Sequence, residues 1–508
     1  MIREVKTENG YLRGIEAADP RITAFKGIPF AAPPVGENRW RAPQPCPDWE
    51  GVREAYRFAP ISVQDTPGIG DDIYCREWHV DPDIAMGEDC LYLNVWTSAK
   101  DDSERQPVLI WFFGGGLQWG YPAEMEFDGE RVARRGVVVV TVNYRLNVFG
   151  FLAHPELTAQ QPDAPSNFGN LDQQAGIKWV IRNIAAFGGD PKRITIAGQS
   201  AGGGSVMAQL ACPGNTGLFQ RAIVQSAMIR NPYYPDHFGA PEPLASAEKN
   251  GEDFFAFLGV SSLAEARKLD AFHILAKYGE FAQTHPRMFT VLDQKFYVGD
   301  PYVLIAEGNC VDAEIMAGNT ADEFLNYIRA TDEGALQEAA KELFGDQAAE
   351  FLACREVKER TEGGYARVCG LEPTIKALAL RRQEIGKKTY YYRFDADIPG
   401  WDNPGNFHSV ELWFFFETLA KCWRPFHGQH YDLARKMCNY WCNFIKTGDP
   451  NGEDADGTKM PEWKPYTKET TFGMAFKTEG PQPEASGETP FMEMLIRRMQ
   501  DRIKEEEK

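Results

Sequence analysis

The amino-acid sequence predicts an α/β fold with a central, mostly parallel sheet flanked by helices. Two observations predict it. Apolar runs such as residues 107–113 and 137–144 are continuous rather than alternating, which is typical of strands buried on both faces. Helical patterns such as 170–187 lie between the strands, and this alternation indicates a parallel sheet. The 508 residues suffice for one such domain, 1–508, with insertions.

The composition argues against several classes of binding partner. A formal net charge of −19 argues against nucleic acid and anionic membranes, because both require basic surfaces. No apolar run reaches membrane-spanning length, and the N-terminus lacks the apolar core of a signal peptide. The ten cysteines show no metal-ligand spacing, so we expect no metal, no cofactor and reduced thiols. These features predict a cytoplasmic protein, or a secreted one whose signal peptide has been trimmed.

The N-terminal half contains the first predicted elements. Residues 1–60 predict small strands and turns, and alternation predicts a strand over 88–96. The apolar run 107–113 ends in Gly114, Gly115 and Gly116. Their N–H groups, unobstructed by side chains, suit an oxyanion hole, although a flexible turn fits the same pattern.

The segment 193–204 is the most informative stretch of the chain. Isoleucines predict a short buried strand, and Gly198 and Gly202 then bracket Ser200 with G-x-S-x-G spacing. In a nucleophile elbow this turn exposes the serine hydroxyl, and the following N–H, here that of Ala201, faces the same space. A glycine-rich loop that opens a helix is the alternative, and the surrounding elements have to decide between the two.

The remaining elements follow from the same patterns. Strands are predicted over 221–226, 313–319 and 389–394. Helices are predicted over 170–187, 410–419, 430–446 and 490–505, and throughout most of 240–310 and 333–386.

Ser200, Glu323 and His408 each follow a predicted strand of the sheet. Because loops at the carboxyl ends of parallel strands share one edge, these side chains can meet. In that case His408 removes the proton of Ser200, and Glu323 fixes the imidazole tautomer. Asp322 is an alternative acid, and a surface histidine or a helix cap is the alternative role for each partner.

Several segments together resemble the type-B carboxylesterase/cholinesterase family of α/β-hydrolases, and bacterial-type carboxylesterases in particular. The matching residues are 27–31, 33–36, 88–95, 114–116, 143–145, 167–191, 198–203, Asp322, Glu323, His408, Glu411, Leu412, Trp441, Asn443, Phe444, 447–451, Trp463, Pro465 and Tyr466. The resemblance implies Ser200 as nucleophile, Glu323 as acid and His408 as base. It also implies oxyanion donors at Gly115, Gly116 and Ala201.

The resemblance extends to supporting residues. Ser226 occupies the position of a second serine near the acid, and Arg39 with Glu88 matches an ion pair that supports the fold. Phe113 replaces a histidine or tyrosine that braces the glycine loop. Gln199 replaces the glutamate beside the nucleophile of cholinesterases, which makes choline esters unfavourable.

The resemblance also bears on the cysteines. The eukaryotic relatives pair the cysteine at the position of Cys90 with a partner near Ser62. Cys75 is the closest cysteine to that partner position, and we expect both thiols to be free.

The implied activity is hydrolysis of small-molecule carboxylic esters through an acyl-enzyme. Trp78, Trp119, Trp413 and Phe416 are candidates for an aromatic pocket, with ordinary core packing as the alternative for at least half of them. Hydroxycinnamoyl esters such as feruloyl esters and short-chain acyl esters both fit. Insertions at about 229–310 and 325–386 are expected to cap or regulate the site.

Other functions fit the same resemblance. A catalytically inactive binding or adhesion module would lack the nucleophile, and a lipase would need a large apolar lid. Amide or carbamate hydrolysis is open to the same triad, and relatives occur as monomers and homodimers.

Overall fold

The computed structural model describes residues 1–235, 239–471, 473–485 and 487–506. Its strands, in chain order, are β1 Glu4–Thr7, β2 Gly10–Arg13, β3 Ile15–Glu16, β4 Thr23–Pro29, β5 Val52–Glu54, β6 Tyr92–Thr97, β7 Gln106–Phe112, β8 Val138–Val142, β9 Gly189–Gln199, β10 Arg221–Gln225, β11 Glu242–Pro243, β12 Val291–Leu292, β13 Glu314–Thr320, β14 Leu325–Ile328, β15 Arg360–Thr361, β16 Gly364–Cys369, β17 Thr389–Phe394, β18 Gly473–Lys477 and β19 Gly480–Glu484.

The α-helices are distributed along the whole chain. In chain order they are α1 Ile73–Glu77, α2 Glu130–Ala133, α3 Asn147–Phe151, α4 Pro155–Gln160, α5 Phe168–Asn183, α6 Ala201–Ala211, α7 Leu244–Leu258, α8 Leu263–Ala266, α9 Ala271–Phe281, α10 Pro301–Glu307, α11 Glu333–Phe344, α12 Ala348–Ala353, α13 Arg355–Lys358, α14 Leu371–Glu384, α15 Leu412–Phe415, α16 Gly428–Thr447 and α17 Pro490–Glu506. Within the described ranges, no helix combines the length and the apolar composition that a membrane crossing requires.

An eleven-stranded sheet organises the molecule, with the strand order β19-β18-β17-β13-β10-β9-β7-β8-β6-β4-β3. The strands from β18 to β8 in this order run parallel, and antiparallel strands complete both edges. The predicted α/β fold with a mostly parallel sheet is thus confirmed. Since β9, β10, β13 and β17 are neighbours, the loops at their carboxyl ends meet at one edge.

Both faces of the sheet are buried. Along β7, Leu109 and Trp111 pack into the core on one face, whereas Val108 and Ile110 pack into the core on the other. This arrangement explains why the apolar run is continuous, since each face of a parallel sheet carries helices.

The structure differs from the predicted elements in three places. The helix predicted over 410–419 is only the single turn α15, because Glu417 has a positive φ of 54°. The segment 325–386 contains the small sheet β14-β16-β15 among its helices. Strands this short give no clear periodicity in the sequence. The β18–β19 hairpin was not predicted, because the prolines of β19 disfavour a strand anywhere except at an edge.

Buried ion pairs fasten loops to this core. Arg39 binds Glu88 through two hydrogen bonds of 2.6 and 2.7 Å. Arg145 binds Asp172 in the same bidentate manner, at 2.8 and 2.7 Å. Loss of one partner from such a pair strongly destabilises the protein, because the other charge stays buried without a counter-ion.

Candidate active site

Ser200 lies on the sharp turn between β9 and α6. Its backbone angles are φ 56° and ψ −126°, a conformation that residues with a Cβ rarely adopt. The neighbouring glycines are required by close packing. A Cβ on Gly202 would lie 2.1 Å from the Phe112 carbonyl oxygen, and one on Gly198 would lie 2.4 Å from the Gly202 carbonyl group. The serine is therefore held in a strained elbow by the adjacent strands.

The elbow places Ser200 beside a cavity of about 270 Å³. Ala201 follows as the first residue of α6, where a backbone N–H has no partner within the helix. The positive end of the helix dipole also points to this space, so the position favours a developing negative charge.

The glycine loop after β7 lies against the elbow. A Cβ on Gly114 would be 3.1 Å from the Cβ of Ser200, and one on Gly115 would be 2.2 Å from the Trp119 carbonyl oxygen. Gly115 and Gly116 have positive φ angles of 105° and 60°. Among the described residues, neither glycine donates its N–H to another backbone carbonyl. The loop can thus present donors to a ligand.

The glycine loop is braced, although Phe113 lacks a polar side chain. The Phe113 ring stacks on Tyr144 with 4.3 Å between ring centroids. The Tyr144 hydroxyl donates a 2.6 Å hydrogen bond to the Phe113 carbonyl oxygen. Tyr144 therefore supplies from a neighbouring strand end the brace that the sequence suggested was absent.

His408 and Glu323 are hydrogen-bonded through His408 Nδ1 and Glu323 Oε2. The other carboxylate oxygen of Glu323 accepts from the Ser226 hydroxyl at 2.7 Å and from the Thr320 N–H at 2.6 Å. These contacts hold a buried carboxylate in one orientation. Its neighbour Asp322 is half-exposed and does not reach His408. It accepts from the Asn406 N–H at 2.9 Å and binds Arg367 Nη2 at 3.3 Å.

The other ring nitrogen of His408 faces Gln199. The Gln199 amide nitrogen lies 3.2 Å from His408 Nε2 and 3.5 Å from Nδ1. No hydrogen bond joins the Ser200 hydroxyl to His408 in the part of the chain that the structure describes. Catalytic hydrogen bonds are often long in a free enzyme and tighten when substrate binds.

Two aromatic residues beside His408 were not anticipated from the sequence. The Phe324 ring meets the imidazole edge-on, with 4.8 Å between centroids. The Tyr74 hydroxyl lies 3.4 Å from the His408 carbonyl oxygen. The position of Phe324, directly after Glu323, is a signal that could have identified it.

Glu411 is a second buried carboxyl near the pair. It is fully buried, and Gln225 Nε2 donates to its Oε1 at 3.4 Å. Burial first, and then the nearby charge of Glu323, raise the pKa of Glu411 to about 8. Glu411 is therefore a neutral acid at neutral pH.

The four aromatic candidates separate into two groups. Trp119 is 38% exposed and lies next to Gly115. Trp78 is only 5% exposed and packs on Phe407 with 6.4 Å between ring centroids, so it belongs with the buried group. Trp413 and Phe416 are fully buried in the core, where Trp413 packs on Trp78 and Phe416 packs on Trp111.

The structure thus corrects the expectation that Trp78, Trp413 and Phe416 line the substrate pocket, since all three side chains are buried in the hydrophobic core. The cavity beside Ser200 is lined instead by residues that the sequence did not single out, among them Leu117, Met207, Met228, Phe289 and Tyr302.

Nothing in the described residues suggests a metal centre, because no group of three or more histidine, cysteine or acidic side chains is arranged to hold an ion. Cys75 and Cys90 are free thiols. Cys90 is buried with its sulfur 3.4 Å from the Ser62 hydroxyl, and the Cys75 sulfur lies 3.3 Å from Asp72 Oδ2.

A parallel sheet with a strained serine elbow and a Glu–His pair on neighbouring strand ends is characteristic of α/β-hydrolases. The comparison with known families agrees. The chain belongs to the Carboxylesterase family, whose model matches residues 2–368 and 365–493.

Curated relatives include three esterases. The chain is 32% identical over 493 residues to fumonisin B1 esterase of Sphingopyxis macrogoltabida, covering 92% of this chain and 86% of that protein. It is 31% identical to cholinesterase of Mus musculus, covering 90% and 81%. It is also 31% identical to para-nitrobenzyl esterase of Bacillus subtilis strain 168, covering 94% and 95%.

Solved structures show the same fold. A PNB esterase superposes with a TM-score of 0.78 at 28% identity, covering 97% of this chain and 99% of that one. A carboxylesterase of Geobacillus stearothermophilus superposes with a TM-score of 0.73 at 29% identity, with the same coverage.

Proposed function

We propose that this protein is a serine carboxylesterase that hydrolyses small-molecule esters through an acyl-enzyme on Ser200. One observation carries the proposal. Ser200 is held in a strained elbow at the same sheet edge where Glu323 binds His408 Nδ1. A serine, a base and an acid that orients the base are the three groups that acyl transfer requires.

His408 acts as the general base. Glu323 accepts from Nδ1, so the lone pair of the neutral imidazole is on Nε2 and is available for the Ser200 proton. The Gln199 amide occupies the space beside Nε2 in the free protein and gives way as Ser200 and His408 approach. His408 then returns the proton to the leaving alcohol. Ser226 positions the acid through its 2.7 Å hydrogen bond to Glu323.

The N–H groups of Gly115, Gly116 and Ala201 hold the oxyanion of the tetrahedral intermediate. The close approach of the glycine loop to the elbow and the free N–H at the start of α6 support this assignment. Loss of one such donor costs about 3–4 kcal/mol of transition-state stabilisation.

The cavity beside Ser200 receives the acyl group. Its size and its mostly apolar walls fit a short-chain acyl group or an aryl group such as hydroxycinnamoyl. Trp119 is partly exposed beside the glycine loop, where an ester can contact it. Choline esters are disfavoured, because the amide of Gln199 offers no negative charge to a cation.

The rest of the chain serves this site. Segments 229–310 and 325–386 cap it as parts of a single domain, and the cavity-lining residues Phe289 and Tyr302 come from the first of them. The protein acts without a cofactor, as a cytoplasmic monomer or homodimer. Light scattering of the purified protein distinguishes a monomer from a homodimer.

The test is hydrolysis of a chain-length series of 4-nitrophenyl esters and of methyl ferulate. Ser200→Ala is measured in parallel, with Ser103→Ala as a matched surface control. We expect Ser200→Ala to lower kcat on the order of a million-fold. A wild-type protein that is inert on every ester, or a Ser200→Ala variant that is equally active, contradicts the proposal and favours a binding module.

A further inference from the structure

The glycine loop after β7 depends on its surroundings for its conformation. Gly115, Gly116 and Leu117 have positive φ angles of 105°, 60° and 58°. Glycine adopts such angles as readily as negative ones, and leucine adopts them only under strain, so neighbouring contacts have to hold the loop in this shape. The meaning of these contacts rests on the proposed function, in which the N–H groups of Gly115 and Gly116 hold the oxyanion.

Gln118 belongs to this loop and also reaches out of it. Its backbone N–H donates to the Gly115 carbonyl oxygen at 3.0 Å, and the Trp119 N–H donates to the same oxygen at 3.1 Å. These two bonds close the turn. Gln118 is only 5% exposed, and its side-chain amide bonds to the helical insertion at 229–310. One residue therefore joins the glycine loop to the insertion.

Three hydrogen bonds form a closed ring between Gln118, Tyr278 and Met288. Gln118 Nε2 donates to the Met288 carbonyl oxygen at 3.1 Å, and the Tyr278 hydroxyl donates to Gln118 Oε1 at 3.2 Å. The Met288 N–H donates to the Tyr278 hydroxyl oxygen at 2.8 Å. Tyr278 and Met288 are 2% and 4% exposed, so the ring is closed off from water, where hydrogen bonds are electrostatically stronger.

The segment that follows Met288 is part of the cavity wall. Residues 289–290 line the cavity beside Ser200. The next residue, Val291, is held in turn by Asn167. The Val291 N–H donates to Asn167 Oδ1, and the Val291 carbonyl oxygen accepts from Asn167 Nδ2, both at 2.8 Å. The wall segment is thus fixed at both of its ends, and one of these ends is fixed by the hydrogen-bond ring.

We propose that Gln118 is a positioning residue for the oxyanion donors. Its hydrogen bonds tie the loop that receives the carbonyl oxygen to the wall segment, so the two keep one separation while the ester becomes the tetrahedral intermediate. Stabilisation of an oxyanion depends steeply on where its donors lie. Loss of the Gln118 amide therefore weakens binding of the oxyanion and leaves binding of the uncharged ester nearly unchanged.

Other contacts of the loop stay in place when the Gln118 side chain is changed. The Asn147 N–H donates to the Leu117 carbonyl oxygen at 2.7 Å. Gln64 bonds to the N–H and to the carbonyl oxygen of Gly120, at 2.7 and 3.0 Å. A substitution at Gln118 should therefore shift the loop without unfolding it, and its effect should be smaller than the loss of an oxyanion donor.

The test compares two ketone inhibitors that carry the same acyl chain. Ser200 Oγ adds to the carbonyl carbon of a trifluoromethyl ketone, the carbonyl electron pair moves to the oxygen, and the Oγ proton passes to His408. This adduct mimics the tetrahedral intermediate. The matching methyl ketone is far less electrophilic, stays uncharged and reports on binding of the ground state. The ratio of the two inhibition constants therefore isolates the contribution of the oxyanion donors.

Gln118→Met keeps the length of the side chain and removes both of its hydrogen bonds. We expect the inhibition constant of the trifluoromethyl ketone to rise about tenfold and that of the methyl ketone to stay within about twofold. Gln106→Met is the matched control and should change neither constant, because Gln106 lies at the opposite end of β7, where its Nε2 donates to Ser98 Oγ at 3.2 Å. Equal changes for the two ketones, or no change, overturn the inference.

Tyr278→Phe tests the same ring of hydrogen bonds and keeps the aromatic packing. It removes the hydroxyl that bonds to Gln118 and Met288, so the ketone ratio should change in the same direction. The double variant should show no more than the larger single effect, since both act through one ring. Tyr440→Phe is the control, because it removes a 2.6 Å hydrogen bond to the Pro461 carbonyl oxygen. If Gln118→Met does not fold, an unchanged ketone ratio in Tyr278→Phe overturns the inference.

The outcomes distinguish this inference from the proposed function. A wild-type protein that hydrolyses no ester and does not bind the trifluoromethyl ketone overturns the proposed function and the inference with it. Ester hydrolysis by the wild type, together with an unchanged ketone ratio in Gln118→Met, overturns the inference alone.

Discussion

Two parts of the cavity wall, one around Ser200 and one around Arg230, are built in different ways. Around Ser200, backbone conformation positions the groups, because the elbow and the glycine loop are short contiguous segments at strand ends. Around Arg230, side chains from three distant segments meet, because Arg230 binds Asp300 and also Glu506 of the last helix. The contrast shows that backbone conformation positions the groups around Ser200, whereas the packing of distant segments positions the charged side chains of the cavity wall.

The largest effect is expected from the acid in the part of the site around Ser200. Glu323→Gln removes the carboxylate that accepts from His408 Nδ1, so the imidazole loses its tautomeric preference and the imidazolium loses its counter-ion. We expect kcat to fall about 10⁴-fold with a small change in KM. Steady-state kinetics with 4-nitrophenyl acetate measures this change.

The neighbouring acid provides the control. Asp322→Asn alters a half-exposed side chain that binds Arg367 and the Asn406 N–H rather than His408. Since the asparagine oxygen can still accept from Asn406, kcat should stay within about twofold. A larger loss in Asp322→Asn than in Glu323→Gln would assign the acid to Asp322 and contradict the proposed triad.

Backbone packing at the elbow gives the next effect. Gly202→Ala places a Cβ 2.1 Å from the Phe112 carbonyl oxygen, and strand β7 cannot move away because it is central in the sheet. We expect a loss of at least about 3 kcal/mol in the free energy of unfolding, measured by urea denaturation.

Gly204, two residues further along α6, is the matched control for this substitution. Nothing lies within 4 Å of a Cβ at Gly204. Gly204→Ala should therefore be neutral or stabilise the protein by about 0.5–1 kcal/mol through helix propensity. Equal destabilisation by both substitutions would show that packing against β7 is not what requires glycine at the elbow.

The difference between these two parts of the cavity wall also explains which site residues could be predicted from the sequence. Ser200, Glu323 and His408 could be placed on one sheet edge, because strand ends are readable from apolar runs and the elbow has a local motif. Arg230, Asp300 and Glu506 could not be placed, because their contact depends on how helices in distant segments pack. Trp413 and Phe416 illustrate the same difficulty. An aromatic residue in the sequence is equally compatible with a position in the core and with a position in a ligand pocket.

A pH-dependent effect is expected from Glu411, which faces Glu323 and Tyr392. Its pKa is about 8 in the folded protein, against an ordinary value of 4.5. The folded state therefore holds an extra proton between these values, and stability must fall as the pH rises through this range. The loss is on the order of 5 kcal/mol and is complete above the folded pKa.

Glu411→Gln should remove this dependence, because the amide does not titrate. Thermal unfolding of both proteins from pH 5 to pH 9 measures it. We expect similar Tm values at pH 5 and a lower Tm for the wild type at pH 9. Parallel Tm curves for the two proteins would show that Glu411 does not titrate in this range.

The smallest effect is expected at Trp119, a partly exposed aromatic side chain beside the glycine loop. Trp119 is 38% exposed and its ring lies against the glycine loop. Trp119→Ala should raise KM for methyl ferulate about threefold to tenfold, which is the contribution of one aromatic contact, and should affect 4-nitrophenyl acetate less. Trp401, which is 77% exposed, provides the control, and Trp401→Ala should leave both substrates unchanged. If Trp119→Ala instead lowers kcat equally for both esters, the tryptophan supports the glycine loop and does not contact the substrate. Trp119 would then be one of the residues that hold the backbone around Ser200.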